Sequence, residues 1–239
     1  GARAADDRVY ELLGSWTCRT TDDATATHVY VRNADQITFI DKVVPRRLPP
    51  YTVAGHFESD QLTGGWTVNA PVNLVLAFHG SARAWNADAW TADGYALPPA
   101  APVAMRERYE WLDANDYRRV FERVGPSGTP AIAGEVCRRG DQPPAADACI
   151  VPELGPATLR HAAVAMPASA RRAGDRGVVR VIVSLDRDAN VVGARIESSP
   201  SAALNDAALT AARTSVYRTS IHDCRPVGGD FLFSVDFQP

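Results

Sequence analysis

Lysine is almost missing from this chain of 239 residues. Lys42 stands alone, and arginine supplies the rest of the 25 basic side chains. Together with many alanines and prolines, that bias reads as a GC-rich coding sequence rather than as a functional signal. No run of about 18 apolar residues occurs, so no segment reads as a membrane-spanning helix. No signal peptide is visible from Gly1 onward, and a leading glycine is compatible with a signal or anchor removed upstream. The formal net charge is −3 and neither sign forms a block, so the chain lacks the electrostatic footprint of a nucleic-acid or anionic-membrane binder. It also lacks G-x-S-x-G, H-E-x-x-H and any glycine-rich phosphate loop. The expectation is therefore no catalytic residue, and a binder rather than an enzyme.

Four cysteines are present: Cys18, Cys137, Cys149 and Cys224. None form a C-x-x-C pair and no histidine stands at ligand spacing, so no metal site is expected. An even number without a metal pattern fits two disulfides in an oxidising compartment, and the expected location is periplasmic or secreted. Four buried thiols in a cytosolic protein is the alternative.

The chain breaks at residues 141–148, where Pro, Ala, Asp and Gly dominate and no hydrophobic period survives. That composition divides it into residues 1–140, a Pro/Ala-rich linker, and residues 149–239. Before the break, short runs of β-branched and aromatic residues alternate with turn residues such as Asn33-Ala34, Gly64-Gly65, Asp93-Gly94 and Gly125-Pro126-Ser127-Gly128. About nine or ten antiparallel strands, preceded by a short helix with Val9, Leu12 and Leu13 on one stripe, predict a closed barrel without exposed edges. Glu107, Tyr109 and Trp111 share one strand face, and Tyr117, Arg119 and Phe121 another. Both faces mix polar and apolar groups, as in a barrel whose interior is not entirely dry. In such a barrel the first and last strands are neighbours, which predicts Cys18–Cys137, with Cys149–Cys224 as the second bridge.

The opening Gly14-Ser15-Trp16, the short helix before it and the closing Glu135-Val136-Cys137 strand resemble lipocalin-like barrels, including the nitrobindin-like group. That resemblance implies a tryptophan plugging one end and, in the nitrobindin-like group, haem held by a histidine. His56 and His79, on predicted strands, are the residues it points to; a surface or hydrogen-bonded role is the alternative for each. No cofactor is expected from the residues themselves. Trp66, Trp85, Trp90, Tyr109, Trp111 and Arg119 are candidates to line a cavity for a small apolar or amphipathic ligand, or else simply fill the core.

After the break the pattern is β-β-α-β. Val179, Val181, Val183 and Leu185 alternate on one face, and a second strand carries Val192, Ala194 and Ile196. Ser199-Pro200 reads as a helix cap and start, and Leu204, Ala208, Ala211 and Ser215 recur at helical spacing. Phe231, Phe233, Val235 and Phe237 mark a half-buried final strand. Met166-Pro167, Gly177-Val178-Val179-Arg180-Val181, Ser198-Ser199, Leu204-Asn205-Asp206-Ala207-Ala208-Leu209 and Arg225-Pro226-Val227 follow the order and spacing of the TonB C-terminal domain family, which this half resembles. The resemblance implies an α+β interaction module of a bacterial cell envelope. Its partner would be a protein strand added at a sheet edge, with Phe231–Phe237 or its neighbour as the receiving edge. The departures are Met166 for tyrosine, Pro200 for glycine, and Cys224 ahead of Pro226. The expectation is thus a non-catalytic envelope protein, a ligand-binding or scaffold barrel joined to an interaction module. A haem or other cofactor barrel, and an enzyme working in the barrel cavity, are the alternatives.

Overall fold

The computed structural model describes residues 10–34, 36–57, 63–69, 77–82, 89–96, 102–145 and 147–238. The chain divides into two compact units, Gly1–Val151 and Pro152–Pro239.

In the first unit the described strands form a closed antiparallel barrel. They are β1 (Gly14–Thr20), β2 (Thr25–Asn33), β3 (Gln36–Val44), β4 (Tyr51–Phe57) and β5 (Thr63–Asn69), then β6 (Ala77–Ala82), β7 (Ala89–Ala96), β8 (Val103–Trp111), β9 (Asp116–Arg123) and β10 (Ala131–Arg139). Each strand pairs with its neighbours in sequence, and β1 closes the ring by pairing with β10. That makes ten strands where a lipocalin has about eight. Gly64-Gly65 and Asp93-Gly94, expected as turns, lie inside β5 and β7 instead. Small residues in a strand signal a close approach as readily as a turn.

Alternation sets the two faces of the wall. Trp16 and Cys18, then Ala26 and Tyr30, then Ile37, Phe39 and Val43, then Val53 and Phe57 are buried on successive strands. On the outer face Val29, Val31 and Ile40 are exposed. Gly55 sits opposite Phe39, and a Cβ there would lie 2.3 Å from the Phe39 ring. The glycine makes the space that the ring fills. The β8–β9 turn is built by Asp113, whose carboxylate accepts from the backbone N–H groups of Asn115 and Asp116.

The expected opening helix is, among the described residues, a single 3₁₀ turn at residues 10–12; its predicted stripe residue Val9 lies outside the description. Leu12 is buried and its carbonyl accepts the Trp16 Nε1–H at 2.7 Å. Trp16 packs edge-on against Tyr117, with centroids 4.8 Å apart. The Arg139 guanidinium lies 4.2 Å over its other side and donates to the carbonyls of Glu11 and Leu13. The Cys18–Cys137 disulfide joins two residues in direct register on β1 and β10. Cys149 and Cys224 are also disulfide-bonded, and no cysteine is free.

In the second unit β12 (Gly177–Leu185) is the centre of a three-stranded sheet, with β13 (Val191–Ser198) on one side and β17 (Gly229–Phe237) on the other. Helix α2 (Asn205–Thr214) lays Ala208, Ala211 and Ala212, with Leu204 before it, on Val179, Val181, Val183, Phe233 and Val235. Alanines let the helix axis approach the sheet closely. Four short strands and a helix add to the expected β-β-α-β order. A ribbon pairs β11 (Ala157–Arg160) with β14 (Val216–Arg218), α1 (Ala168–Ala173) follows β11, and β15 (Ser220–His222) pairs with β16 (Arg225–Val227) ahead of β17.

Two local expectations are corrected. The cap is Ser201, which accepts from the Ala203 N–H to start a 3₁₀ turn at Ala202–Leu204; Ser199 only ties back to Ser201. The register shifts between Ser184 and Leu185, which turns Val191 toward the core and leaves Val192 exposed. Among the described residues, no helix is long and apolar enough to cross a membrane.

Candidate functional site

The interior of the barrel holds a cluster of ionisable side chains that the strand register brings together. Arg119 on β9 faces Glu135 on β10 and Tyr109 on β8. His28 on β2 faces Asp41 on β3. Glu107, one pleat from Tyr109 on β8, completes the group. All five ionisable residues are buried, Arg119 to 2% exposure and His28 to 0%.

Arg119 is the centre. Its Nε donates to Glu107 Oε1 at 2.5 Å, and its Nη1 donates to Asp41 Oδ2 at 3.0 Å and to Glu135 Oε1 at 3.3 Å. The guanidinium carbon lies 4.8 Å from the Phe121 ring centroid, 5.1 Å from Tyr109 and 5.4 Å from Phe39. A planar, permanently charged group suits this role: it serves several carboxylates in one plane while its faces meet aromatic π-clouds.

His28 is the second basic group. Its Nδ1 shares a 2.8 Å hydrogen bond with Tyr117 Oη and lies 3.7 Å from Asp41, and its Nε2 is 3.3 Å from Glu135 Oε2. Tyr117 Oη continues to Tyr30 Oη at 3.1 Å. Burial opposes the imidazolium, but Asp41 and Glu135 outweigh it and hold the His28 pKa above its ordinary value. Burial likewise pushes Glu135 upward, yet His28 and Arg119 bring it below the ordinary carboxylate range. For Asp41 burial wins, and its pKa is raised. Of Asp41 and Glu135, Asp41 is therefore the carboxyl that more readily carries a proton. Burial drives the Tyr109 and Tyr117 hydroxyls well above their ordinary value, so they remain neutral donors. Three buried atoms, Arg119 Nη2, His28 Nε2 and Asp41 Oδ1, have no hydrogen-bond partner among the protein groups.

Of the six residues expected around a cavity, three are placed by their side chains. Tyr109 and Arg119 are buried inside, and Trp111 is half-buried against Trp16, with centroids 5.9 Å apart. All three pack on protein groups: the Tyr109 ring is 5.8 Å from Phe57 and 5.7 Å from Tyr117. Trp85 lies outside the described residues. Trp66 and Trp90 are placed by backbone alone, opposite Gly55 and Tyr109, and their side chains lie outside the description. The same holds for His79 on β6. His56 sits on the face of β4 opposite to Val53 and Phe57, beside a shallow depression of about 440 Å³ lined by Gln36, Thr38, Ala54 and Gly55. The histidine inside the barrel is His28, which the sequence reading did not single out, and neither were Asp41, Glu107 or Glu135. A signal was present for Asp41, the one charged group among Ile37, Phe39 and Val43 on its strand face.

The second candidate element is the β17 edge. Phe233, Val235 and Phe237 are buried beneath α2 and Phe231 is half-buried beside Tyr217. These side chains anchor the strand. Strand β17 pairs with β12 over nine consecutive register positions, from Gly229 to Phe237, without a bulge. No other described strand pairs with it. The opposite edge, β13, carries two register irregularities.

Residues 162–239 match the family model of the Gram-negative bacterial TonB protein C-terminal. The match covers the sheet, both helices and the β17 edge. No curated protein matches the chain.

Proposed function

We propose that the chain is a non-catalytic bacterial envelope protein whose C-terminal unit docks an extended segment of another envelope protein on the free edge of β17. The barrel acts as the rigid body that carries this module. The observation that bears most weight is the nine-residue, unbroken pairing of β17 on one side only. A long flat edge is a template for another strand, and proteins that do not use such an edge blunt it with bulges or inward charges. On β17 Asp230, Ser234 and Asp236 are exposed on the side away from the core, and exposed Leu232 stands among them, so a bound strand would meet one apolar and three polar side chains. A periplasmic setting is supported by the TonB match and by cysteines that are all in disulfides.

A scaffold role for the barrel is favoured over a carrier role by the buried cluster. Where side chains are described, the interior is taken up by Arg119, its carboxylates and the surrounding rings.

The test is site-specific photo-crosslinking in living cells. A photoreactive residue at Leu232 on β17 is expected to give a discrete adduct with an envelope protein, and one at Val192 on β13 is not. Adducts at Val192 alone, or at neither site, overturn the reading.

A further inference from the structure

The barrel seam carries a group of side chains with a chemistry that its disulfide conceals. Cys18 on β1, His28 on β2, and Glu135 and Cys137 on β10 each present a ligand atom, and these four atoms all lie within 4.8 Å of one another. All four residues are buried. We propose that reducing the Cys18–Cys137 disulfide opens a tetrahedral site for zinc or a similar divalent transition metal, ligated by both sulfurs, His28 and Glu135.

The donor set carries the choice of metal. Two thiolates, an imidazole and one carboxylate suit a borderline-soft tetrahedral ion and not magnesium or calcium, which take oxygen ligands. Metal–ligand bonds of about 2.0–2.3 Å place tetrahedral ligands roughly 3.3–3.8 Å apart. The present spread of up to 4.8 Å is not far above that range, and side-chain rotation is expected to close the remainder. The backbone already holds the two cysteines in register, with Cα atoms 4.0 Å apart, and the sulfurs must only separate once their bond is gone.

The surroundings fit a ligand role for His28. Its Nδ1 lies 2.8 Å from Tyr117 Oη and 3.8 Å from Cys137 Sγ, and its Nε2 lies 3.3 Å from Glu135 Oε2. The ring thus stands between the hydroxyl, the sulfur and the carboxylate, and its contact with Tyr117 holds it in place, as outer-shell partners hold a ligating histidine. Asp41 and Glu107 add negative charge nearby and Arg119 offsets part of it. Sequence spacing gave no hint of this site, because its ligands come from three strands and meet only when the barrel closes.

The chemistry balances with one added reagent class. A dithiol attacks the disulfide, delivers two electrons and two protons to Cys18 and Cys137, and leaves as a cyclic disulfide. Metal binding then displaces both thiol protons, and a third if His28 is protonated.

The inference does not depend on the docking edge, and its test reads the barrel alone. The full chain carrying Cys149→Ser and Cys224→Ser is reduced with a dithiol, freed of it without air, and titrated with Co²⁺ as a spectroscopic probe. One equivalent is expected to give the intense visible bands of tetrahedral cobalt with thiolate charge-transfer absorption, bleached by one equivalent of Zn²⁺. The oxidised protein is expected to give neither. His28→Gln or Glu135→Gln is expected to weaken binding at least tenfold. If either variant fails to fold, Cys18→Ser carries the test through loss of the two-thiolate charge-transfer intensity. No bands on reduction, the same bands in Cys18→Ser, or loss of the β-sheet circular dichroism on reduction overturns the proposal.

Discussion

Arg119 and Glu135 stand directly opposite each other on β9 and β10, and the guanidinium that reaches Glu135 at 3.3 Å also holds Glu107 and Asp41. One cation thus serves three buried carboxylates. Replacing it with a methionine of similar length takes away the cation that those three buried carboxylates share. Arg119→Met is expected to cost about 3–5 kcal/mol, as for breaking a buried pair from one side. Urea unfolding measures it, and adding Glu107→Gln and Glu135→Gln to the variant is expected to recover part of the loss. An unchanged midpoint in Arg119→Met would show that the pairs contribute nothing.

The cluster also predicts how stability depends on pH. The His28 pKa is raised above its ordinary 6.5, so its stabilisation is complete below 6.5 and is lost as the pH rises through the folded value. The Glu135 pKa is lowered below 4.5, so its stabilisation is complete above 4.5 and is lost as the pH falls through its folded value. Between about 4.5 and 6.5 both contributions are whole. Asp41 is raised from 3.8 and binds its proton more tightly when folded, so it adds to the decline as pH rises. Barrel stability is expected to peak on the acidic side of neutrality. Chemical denaturation from pH 4 to 9 tests this, and His28→Gln should flatten the alkaline limb.

Gly55 is where the wall has no space for a side chain. A Cβ would sit 2.3 Å from Phe39 Cζ and 2.5 Å from the Gly65 carbonyl oxygen. Gly55→Val is expected to destabilise by about 1–3 kcal/mol through overpacking. Phe39→Leu in the same chain should return some of that, but not all, because the Gly65 backbone remains. A double-mutant cycle by thermal or urea unfolding separates the two contacts.

Removing the seam disulfide with Cys18→Ala and Cys137→Ala should lower stability by about 2–5 kcal/mol without abolishing the fold. The bond closes a sequence separation of 119 residues, but the β1–β10 ladder pairs four further register positions around it, from Trp16 to Thr20. Circular dichroism should keep its β-sheet signal while the unfolding midpoint falls.

In the second unit, Ser201 both caps the 3₁₀ turn before α2 and donates to Asp175 at 2.7 Å. Ser201→Ala is expected to cost about 0.5–2 kcal/mol, the usual range for a lost N-cap. Ser199→Ala, although it alters the more conspicuous double serine, should cost less. Comparing the two variants by thermal unfolding decides which serine is the cap.

Period-two alternation made the barrel strands and the Val179–Leu185 strand legible, because burial follows the pleat directly. The helical stripe of Leu204, Ala208, Ala211 and Ser215 was legible for the same reason, and all four residues are buried. Turn residues were read less well. Gly64-Gly65 and Asp93-Gly94 are strand residues paired on both sides, and their residue types alone cannot separate a bend from a close approach. Arg119 was singled out, but its partners were not. The contact with Asp41 spans 78 residues in sequence, and register fixes such a contact while composition does not. What the sequence does show is the misfit: a histidine on the Ala26–Tyr30 face and an aspartate on the Ile37–Val43 face. Two misfits on adjacent strands could have been paired.

The joining of the first and last barrel strands makes the backbone from Cys18 to Cys137 a ring. A single cut inside that ring, for example in the Gly125–Gly128 turn, would leave one covalently connected molecule with every strand still held at both neighbours. The barrel can therefore be opened at that turn and given new ends there. A protease that nicks an exposed hairpin would change the mobility of the protein only after reduction.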